Sequence, residues 1–357
     1  MKIQLILGII LGLAQFTHAC QIQQEGDQLI VTTIYGQTRV IEPVLIELIK
    51  SPAMERLKKV RQYGVTWYAH EEAEYTRFTH SIGVFFLLKK YGANLEEQID
   101  GLLHDVSHTV FSHVGDYLFN CRFNQWSYQD EIHEWFLQEI GVTDILNIHG
   151  FDDACTKKAK KRHRLLEQDR PDLCADRIEY NLHGGLVEGF LTHDEVNELI
   201  SALHFENGQW FFDNVQAAKK FGQISIKLSL CRWGSHWNVF VDYCARQALM
   251  RALELGLLTK DLIHFGIDDA VWQMLVNNQD SEIQLWVNRI KHFEMSYCLC
   301  DEQEADYHLI GKILGTDPLV KMNDGLMRVS SLDSNYEKEF KRATEIAGAG
   351  WFIKFLS

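Results

Sequence analysis

The chain has 357 residues and a formal net charge of −14, from 35 Lys and Arg against 49 Asp and Glu. That balance excludes bulk binding along a nucleic-acid backbone, which needs a broad positive surface. With 46% hydrophobic residues, 24% charged residues and only 4 prolines, the composition is that of an ordered globular protein, one large domain or two closely packed ones.

At the start, Lys2 precedes the apolar run Ile-Leu-Gly-Ile-Ile-Leu-Gly-Leu-Ala over 6–14, too short to span a bilayer. With the small residues Thr17 and Ala19 following, residues 1–19 read as a signal peptide, which predicts export to the periplasm or the exterior and otherwise a cytoplasmic protein. Cys20, next after the cleavage point, suits a membrane lipid anchor, although Thr17 and His18 make a poor lipoprotein box. The eight cysteines, at 20, 121, 155, 174, 231, 244, 298 and 300, form no paired CxxC pattern, so buried free thiols are expected.

Residues 28–41 carry β-branched side chains on either side of Tyr35-Gly36 and predict a β-hairpin. From Pro43 the apolar spacing becomes helical through Val44, Leu45, Leu48 and Ile49, and Ser51-Pro52 marks a new helix start. A helix is predicted from Thr76 to Gly92, and a second helical stretch over 95–119, broken around 109–112. Further helices are expected near 129–141, 173–183, 193–204, 212–228, 236–256 and 268–276. The fold class is therefore mainly α, with a small N-terminal β-hairpin, a core over 28–204 and a helical C-terminal region, 205–357, packed on it. The basic stretch from Lys157 to Arg164, with His163 inside it, is either a solvated segment or one that faces phosphate.

The residues best suited to chemistry begin with His104-Asp105-Val-Ser-His108, followed by His113 and Asp116. On one helix His104 and His108 share a face, and imidazole with carboxylate suits one divalent ion of Fe, Mn, Zn or Mg. His80, on the preceding helix, and Asp176, on a later one, complete a set of four ligands that leaves open positions for water and a phosphate oxygen. Arg77, three residues before His80, can set its forked donors against phosphate.

At these residues the sequence resembles the HD-domain phosphohydrolases, in particular the deoxynucleoside triphosphate triphosphohydrolase branch. The likeness runs through Thr33-Ile-Tyr-Gly36, Pro43 to Pro52, Arg56 to Gln62, Arg77-Phe-Thr-His80-Ser, His104 to His113 and Asp176-Arg-Ile-Glu-Tyr180, and covers roughly residues 28–185. It implies an HD-domain helical core with His80, His104, Asp105 and Asp176 as metal ligands and Arg77 on substrate phosphate. It also implies His108, His113, Asp116 and His133 around a triphosphate, with histidine in acid or base work, and Tyr180 near a nucleotide sugar. After Tyr180 the sequence Asn-Leu-His-Gly-Gly185 replaces the arginine-aspartate pair common in that branch.

The expected substrate is a phosphorylated small molecule, a (deoxy)nucleoside triphosphate cleaved to nucleoside and triphosphate. A phosphomonoesterase or cyclic nucleotide phosphodiesterase with the same metal site, and a non-catalytic binding protein, stand as alternatives. Aromatic residues at Trp210, Phe211, Phe212, Trp233, Trp237 and Phe240 are candidates for core and in part for a homo-oligomer face.

Overall fold

The computed structural model describes residues 20–70, 74–119, 127–311 and 315–356; the segment read as a signal peptide lies outside them. An antiparallel meander opens the fold, with β1 (Gln21–Glu25), β2 (Gln28–Thr33) and β3 (Gly36–Val40) in that order. The hairpin expected over 28–41 is β2 and β3, turning at Ile34-Tyr35. β1 was not foreseen: four of its five residues are exposed, so it carries no alternation of apolar and polar side chains to read. Leu29, Val31 and Val40 face inwards onto α1 (Pro43–Ile49) and α2 (Pro52–Leu57) in one apolar cluster. Proline opens both helices, and Ser51 caps α2 by accepting from the Met54 backbone N–H.

After the short α3 (Thr66–Ala69), α4 (Arg77–Lys90) starts on Thr76, whose side chain accepts from the Thr79 N–H. Every residue from Arg77 to Leu88 is buried, because α4 is the central helix and is covered all round. α5 (Leu95–Leu103), capped by Asn94, packs beside it. The chain leaves the helix at His104, earlier than the break expected at 109–112, and becomes helical again in α6 (Val114–Phe119). His104 and His108 therefore do not share a helical face; they meet through a loop. α7 (Tyr128–Glu139), α8 (Val142–His149), α9 (Lys157–Lys160), α10 (Ala175–Val187) and α11 (His193–Ser201) follow.

The part beyond 204 is built mainly on α12 (Val215–Cys231), α13 (His236–Glu254), α14 (Lys260–Phe265), α15 (Asp268–Val276), α16 (Ser281–Lys291) and the helix Ser334–Ala349. Two small sheets, absent from the sequence reading, add to it. One has the order β4 (Leu203–Glu206), β5 (Gln209–Phe212), β8 (Leu319–Met322), β9 (Gly325–Arg328), with β5 and β8 parallel; the other sets β10 (Trp351–Phe355) between β6 (Tyr297–Leu299) and β7 (Tyr307–Leu309). Two of the three apolar clusters draw residues from both sides of position 204: Val84 and Leu182 with Phe221 and Tyr336, and Val65 and Phe111 with Phe240 and Ile353. Trp210, Phe211, Phe212 and Phe240 are buried there, as core. No helix among the described residues is long and apolar enough to cross a membrane.

Candidate metal centre and pocket

The ends of three helices bring the four expected ligands together. His80 Nε2, from the first turn of α4, lies 3.2 Å from His104 Nε2 and 3.0 Å from Asp176 Oδ1, at the start of α10. Asp105 Oδ2 is 3.5 Å from His80 Nε2, and its Oδ1 is 3.5 Å from His104 Nε2, which in turn is 3.6 Å from Asp176 Oδ1. Metal–ligand bonds of about 2.1 Å set neighbouring ligand atoms roughly 3.0–3.4 Å apart, so His80, His104 and Asp176 are spaced to hold one divalent ion, with Asp105 beside them offering a different oxygen to each imidazole. The two Nε2 atoms facing each other over 3.2 Å fit the same reading, since neutral imidazoles turn their lone pairs towards a shared cation.

The imidazoles are fixed from behind. His104 Nδ1 donates to the Gly101 carbonyl at 2.8 Å, and His80 Nδ1 meets Glu179 Oε2 at 2.5 Å. Glu179 is fully buried, three residues after Asp176, and also receives the Tyr75 hydroxyl at 2.5 Å and His183 Nδ1 at 2.9 Å. Burial opposes a charge on His80, yet Glu179, Asp176 and Asp105 together push its pKa up to about 10. Burial likewise opposes a charge on Glu179, and His183 and His80 overcome it, bringing that carboxyl down to about 2. A carboxylate behind a ligating histidine sets its tautomer and basicity. Glu179 lay within the Asp176-to-Tyr180 motif, and its position one helical turn after Asp176 was the signal for it. Tyr35, from the β2–β3 turn, donates to the Glu179 carbonyl at 3.2 Å, which ties the N-terminal sheet to the site.

Arg77 is buried and divided between two partners: Nη1 to Asp105 Oδ2 at 2.5 Å and Nε to Ser112 Oγ at 2.9 Å. Burial alone would raise the Asp105 pKa; Arg77, His104 and His108 hold it well below the usual carboxylate range. His108 Nε2 is 3.2 Å from Asp105 Oδ1, and burial, then the neighbouring Arg77, lowers the His108 pKa to about 4. Its imidazole is neutral at pH 7.

The loop from His104 to Val114 is held by long-range clamps. Arg56 donates to the carbonyls of Val106 (3.2 Å), His108 (2.8 Å), His264 (2.7 Å) and Gly266 (3.0 Å). Asp268, at the start of α15, accepts the Phe111 N–H at 2.8 Å and the Arg61 N–H at 2.9 Å. Phe111 and Ser112 both sit at positive φ, 58° and 54°, a strain of roughly 1 kcal/mol or more each that these clamps must offset. Gly64, at φ +56°, lies against this loop: a Cβ there would come within 2.6 Å of the Phe111 carbonyl oxygen.

His104, Asp105 and Asp176 line a cavity of about 310 Å³, with His80 buried beneath them, and its walls include Arg77, His108, His113, Tyr63, Tyr180 and Trp233. Arg77 Nη2, the Tyr180 hydroxyl and Trp233 Nε1 are buried donors with no hydrogen-bond partner among the described residues, which suits a ligand rich in acceptors. His113 is exposed on the wall, its Nδ1 held 3.2 Å from Asp116 Oδ2; Asp116 stands behind it and also takes the Tyr128 N–H at 2.8 Å. His133 is not on this wall: it is buried in α7, with Nδ1 2.8 Å from Ser107 Oγ. The turn between α12 and α13 gives Trp233, expected from the sequence as core or oligomer face, and α13 gives Asn238 and Asp242, which the sequence pattern did not mark. The basic stretch turns away, with Arg162 paired to Glu96 at 2.8 Å and His163 to Asp100 at 2.7 Å. Cys20 is half-buried beside Thr79, and burial pushes its thiol up to about 11.

A mainly helical fold around an HD pair, with histidine and aspartate from flanking helices, defines a class: the chain belongs to the HD-domain superfamily of metal-dependent phosphohydrolases, and it is a hydrolase. Within it the chain is 34% identical to the uncharacterized protein YdhJ of Bacillus subtilis over 90% of its own length and 98% of that protein. It is 35% identical to the metal-dependent phosphohydrolase cns2 of Cordyceps militaris, over 52% of this chain and 53% of that one, so the likeness spans about half of each. The deoxynucleoside triphosphate triphosphohydrolase SAMHD1 of Gallus gallus is 30% identical over 38% of this chain and 28% of its own. A phosphohydrolase from Bacteroides thetaiotaomicron shares the fold, with a TM-score of 0.61 at 16% identity, over 86% of this chain and 94% of that one. No protein-family model matches the chain.

Proposed function

We propose that the protein hydrolyses the phosphate ester of a nucleotide-sized molecule, with His80, His104, Asp105 and Asp176 holding one divalent ion and Arg77 meeting the phosphate. The observation that carries this is the convergence of His80, His104 and Asp176 to within 3.0–3.6 Å of one another, with Asp105 beside them, at the base of a cavity lined by arginine and aromatic rings. A bound divalent ion would supply Lewis acidity, polarising a phosphoryl oxygen and making water a better nucleophile at neutral pH. Arg77 keeps Asp105 ionised and presents Nη2 to the phosphate. His108, neutral and donating Nε2–H to Asp105, orients that carboxylate and does not act as an acid. His113, exposed and oriented by Asp116, is the group placed to give a proton to the leaving oxygen. Tyr63, Tyr180 and Trp233 offer faces and edges to a base or sugar.

The charge of the cavity bears on which phosphate. Among the described residues, Asp105, Asp130, Glu167, Asp176 and Asp242 face it against Arg77, Arg170 and Arg177, with no lysine. Arg177 is engaged by Glu167 and by the carbonyls of Asp172 and Gln168. That inventory supports a phosphomonoester over a triphosphate, whose extra charges would need further cations. The shared motif with SAMHD1 favours the triphosphate as a second reading. Product analysis of the metal-loaded protein with dGMP and with dGTP separates them. Orthophosphate from dGMP is the expected result; deoxyguanosine with intact triphosphate from dGTP would establish the second reading instead.

A further inference from the structure

Behind the phosphohydrolase site, one turn of α5 before His104, Asp100 is fully buried. His133 from α7 and Cys155 from the turn after α8 are buried beside it, and one ligand atom from each of the three lies within 4.8 Å of the others. Asp100 Oδ2 accepts from buried His163 Nδ1 at 2.7 Å, and His133 Nδ1 is bonded to Ser107 Oγ at 2.8 Å. Asp100 Oδ1 has no hydrogen-bond partner among the described residues, and neither has His163 Nε2. The segment carrying Cys155 packs into the apolar cluster of Leu102, Phe136 and Ala154. A carboxyl oxygen left without a hydrogen-bond partner in such surroundings costs on the order of 1–3 kcal/mol, and a cation would remove that cost.

We propose that Asp100, His133 and Cys155 form a second, structural metal-ion site that takes zinc. Oxygen, nitrogen and sulfur donors together select it: a thiolate and an imidazole disfavour Mg and Ca, while Zn accepts all three donor types. The carboxylate and thiolate neutralise the ion's two charges, the thiol proton leaving to solvent on binding. His163 orients the Asp100 carboxylate and Ser107 orients the His133 ring, as groups around a ligand do. Such an ion would join α5, α7 and the 150–156 segment, and through Ser107, two residues after Asp105, would brace the loop that carries His104 and Asp105. His133 and His163, which the hydrolytic site leaves unused, both acquire a role.

The test is spectroscopic and independent of turnover. The full chain, stripped of metal and reloaded with cobalt(II), should show a near-ultraviolet thiolate-to-cobalt charge-transfer band, because the hydrolytic ligands contain no sulfur. The band should vanish in Cys155→Ser and persist in Cys174→Ser and His104→Ala, while zinc content falls from two equivalents per chain to one in Cys155→Ser, about a twofold loss. Should Cys155→Ser fail to fold, Cys155→His keeps a donor and is expected to retain two equivalents without the band. Absence of the band in the unaltered chain, or its loss with Cys174→Ser and not Cys155→Ser, would overturn the proposal.

Discussion

Among single residues, Glu179 is the one expected to tune how well the centre binds an ion. It stands behind His80 and is itself satisfied by Tyr75 and His183, so Glu179→Gln removes a charge while keeping the shape. Metal affinity is expected to fall about 10- to 100-fold, read by competition against a chelator. The titrations give a sign for pH. His80 is raised to about 10, so in the metal-free protein it contributes stability that is complete below about 6.5 and lost as pH rises through 10. Glu179 is depressed to about 2, and its contribution is present above about 4.5 and lost as pH falls through 2. Ion binding needs neutral His80, so between pH 6.5 and 8.5 affinity should rise about tenfold per unit, with about one proton released per ion bound. Calorimetry in buffers of different ionisation enthalpy measures both; an affinity flat with pH would contradict the protonated His80.

At the scale of elements, the loop between α5 and α6 is where local sequence and tertiary structure part company. The periodicity from 95 onwards is helical, and nothing local stops it at Leu103; Arg56 and Asp268, 50 residues before and 157 after their loop partners, pull the backbone out. The site was legible as residue types, because His80, His104, Asp105 and Asp176 stand near helix ends whose caps and apolar spacing are written in the sequence. It was not legible as geometry, because the clamps are non-local. The same reason hid the small sheets: β5 and β8 pair across more than 100 residues through strands of four residues each, and the Trp210-Phe-Phe run reads equally well as the entry to α12. Asp268→Ala, which strands the Phe111 and Arg61 N–H groups, is expected to cost about 2–4 kcal/mol, seen as a lower denaturation midpoint. Gly64→Ala should lower activity and stability together, since the Phe111 carbonyl blocks a Cβ.

At the scale of the whole molecule, both halves of the chain make one site. The family resemblance read from the sequence covers residues 28–185, yet Trp233, Asn238 and Asp242 line the cavity from α13 and the turn before it. On the function proposed above, their face, and not the metal ligands, sets substrate choice. Trp233→Ala is therefore expected to raise KM about tenfold, with kcat for a small aryl phosphate little changed, the pattern of lost uniform binding; a fall in kcat alone would place Trp233 in the chemistry. Hydrolysis is expected to depend on an ion held by His80, His104, Asp105 and Asp176. That dependence is tested most directly by following orthophosphate release from dGMP as the stripped protein is titrated with a divalent metal, beside Asp105→Ala. The rate should rise in proportion to occupancy and saturate, and Asp105→Ala should lose about 1,000-fold or more at any metal concentration. Equal rates in the two proteins, or full activity in the presence of excess chelator, would contradict it.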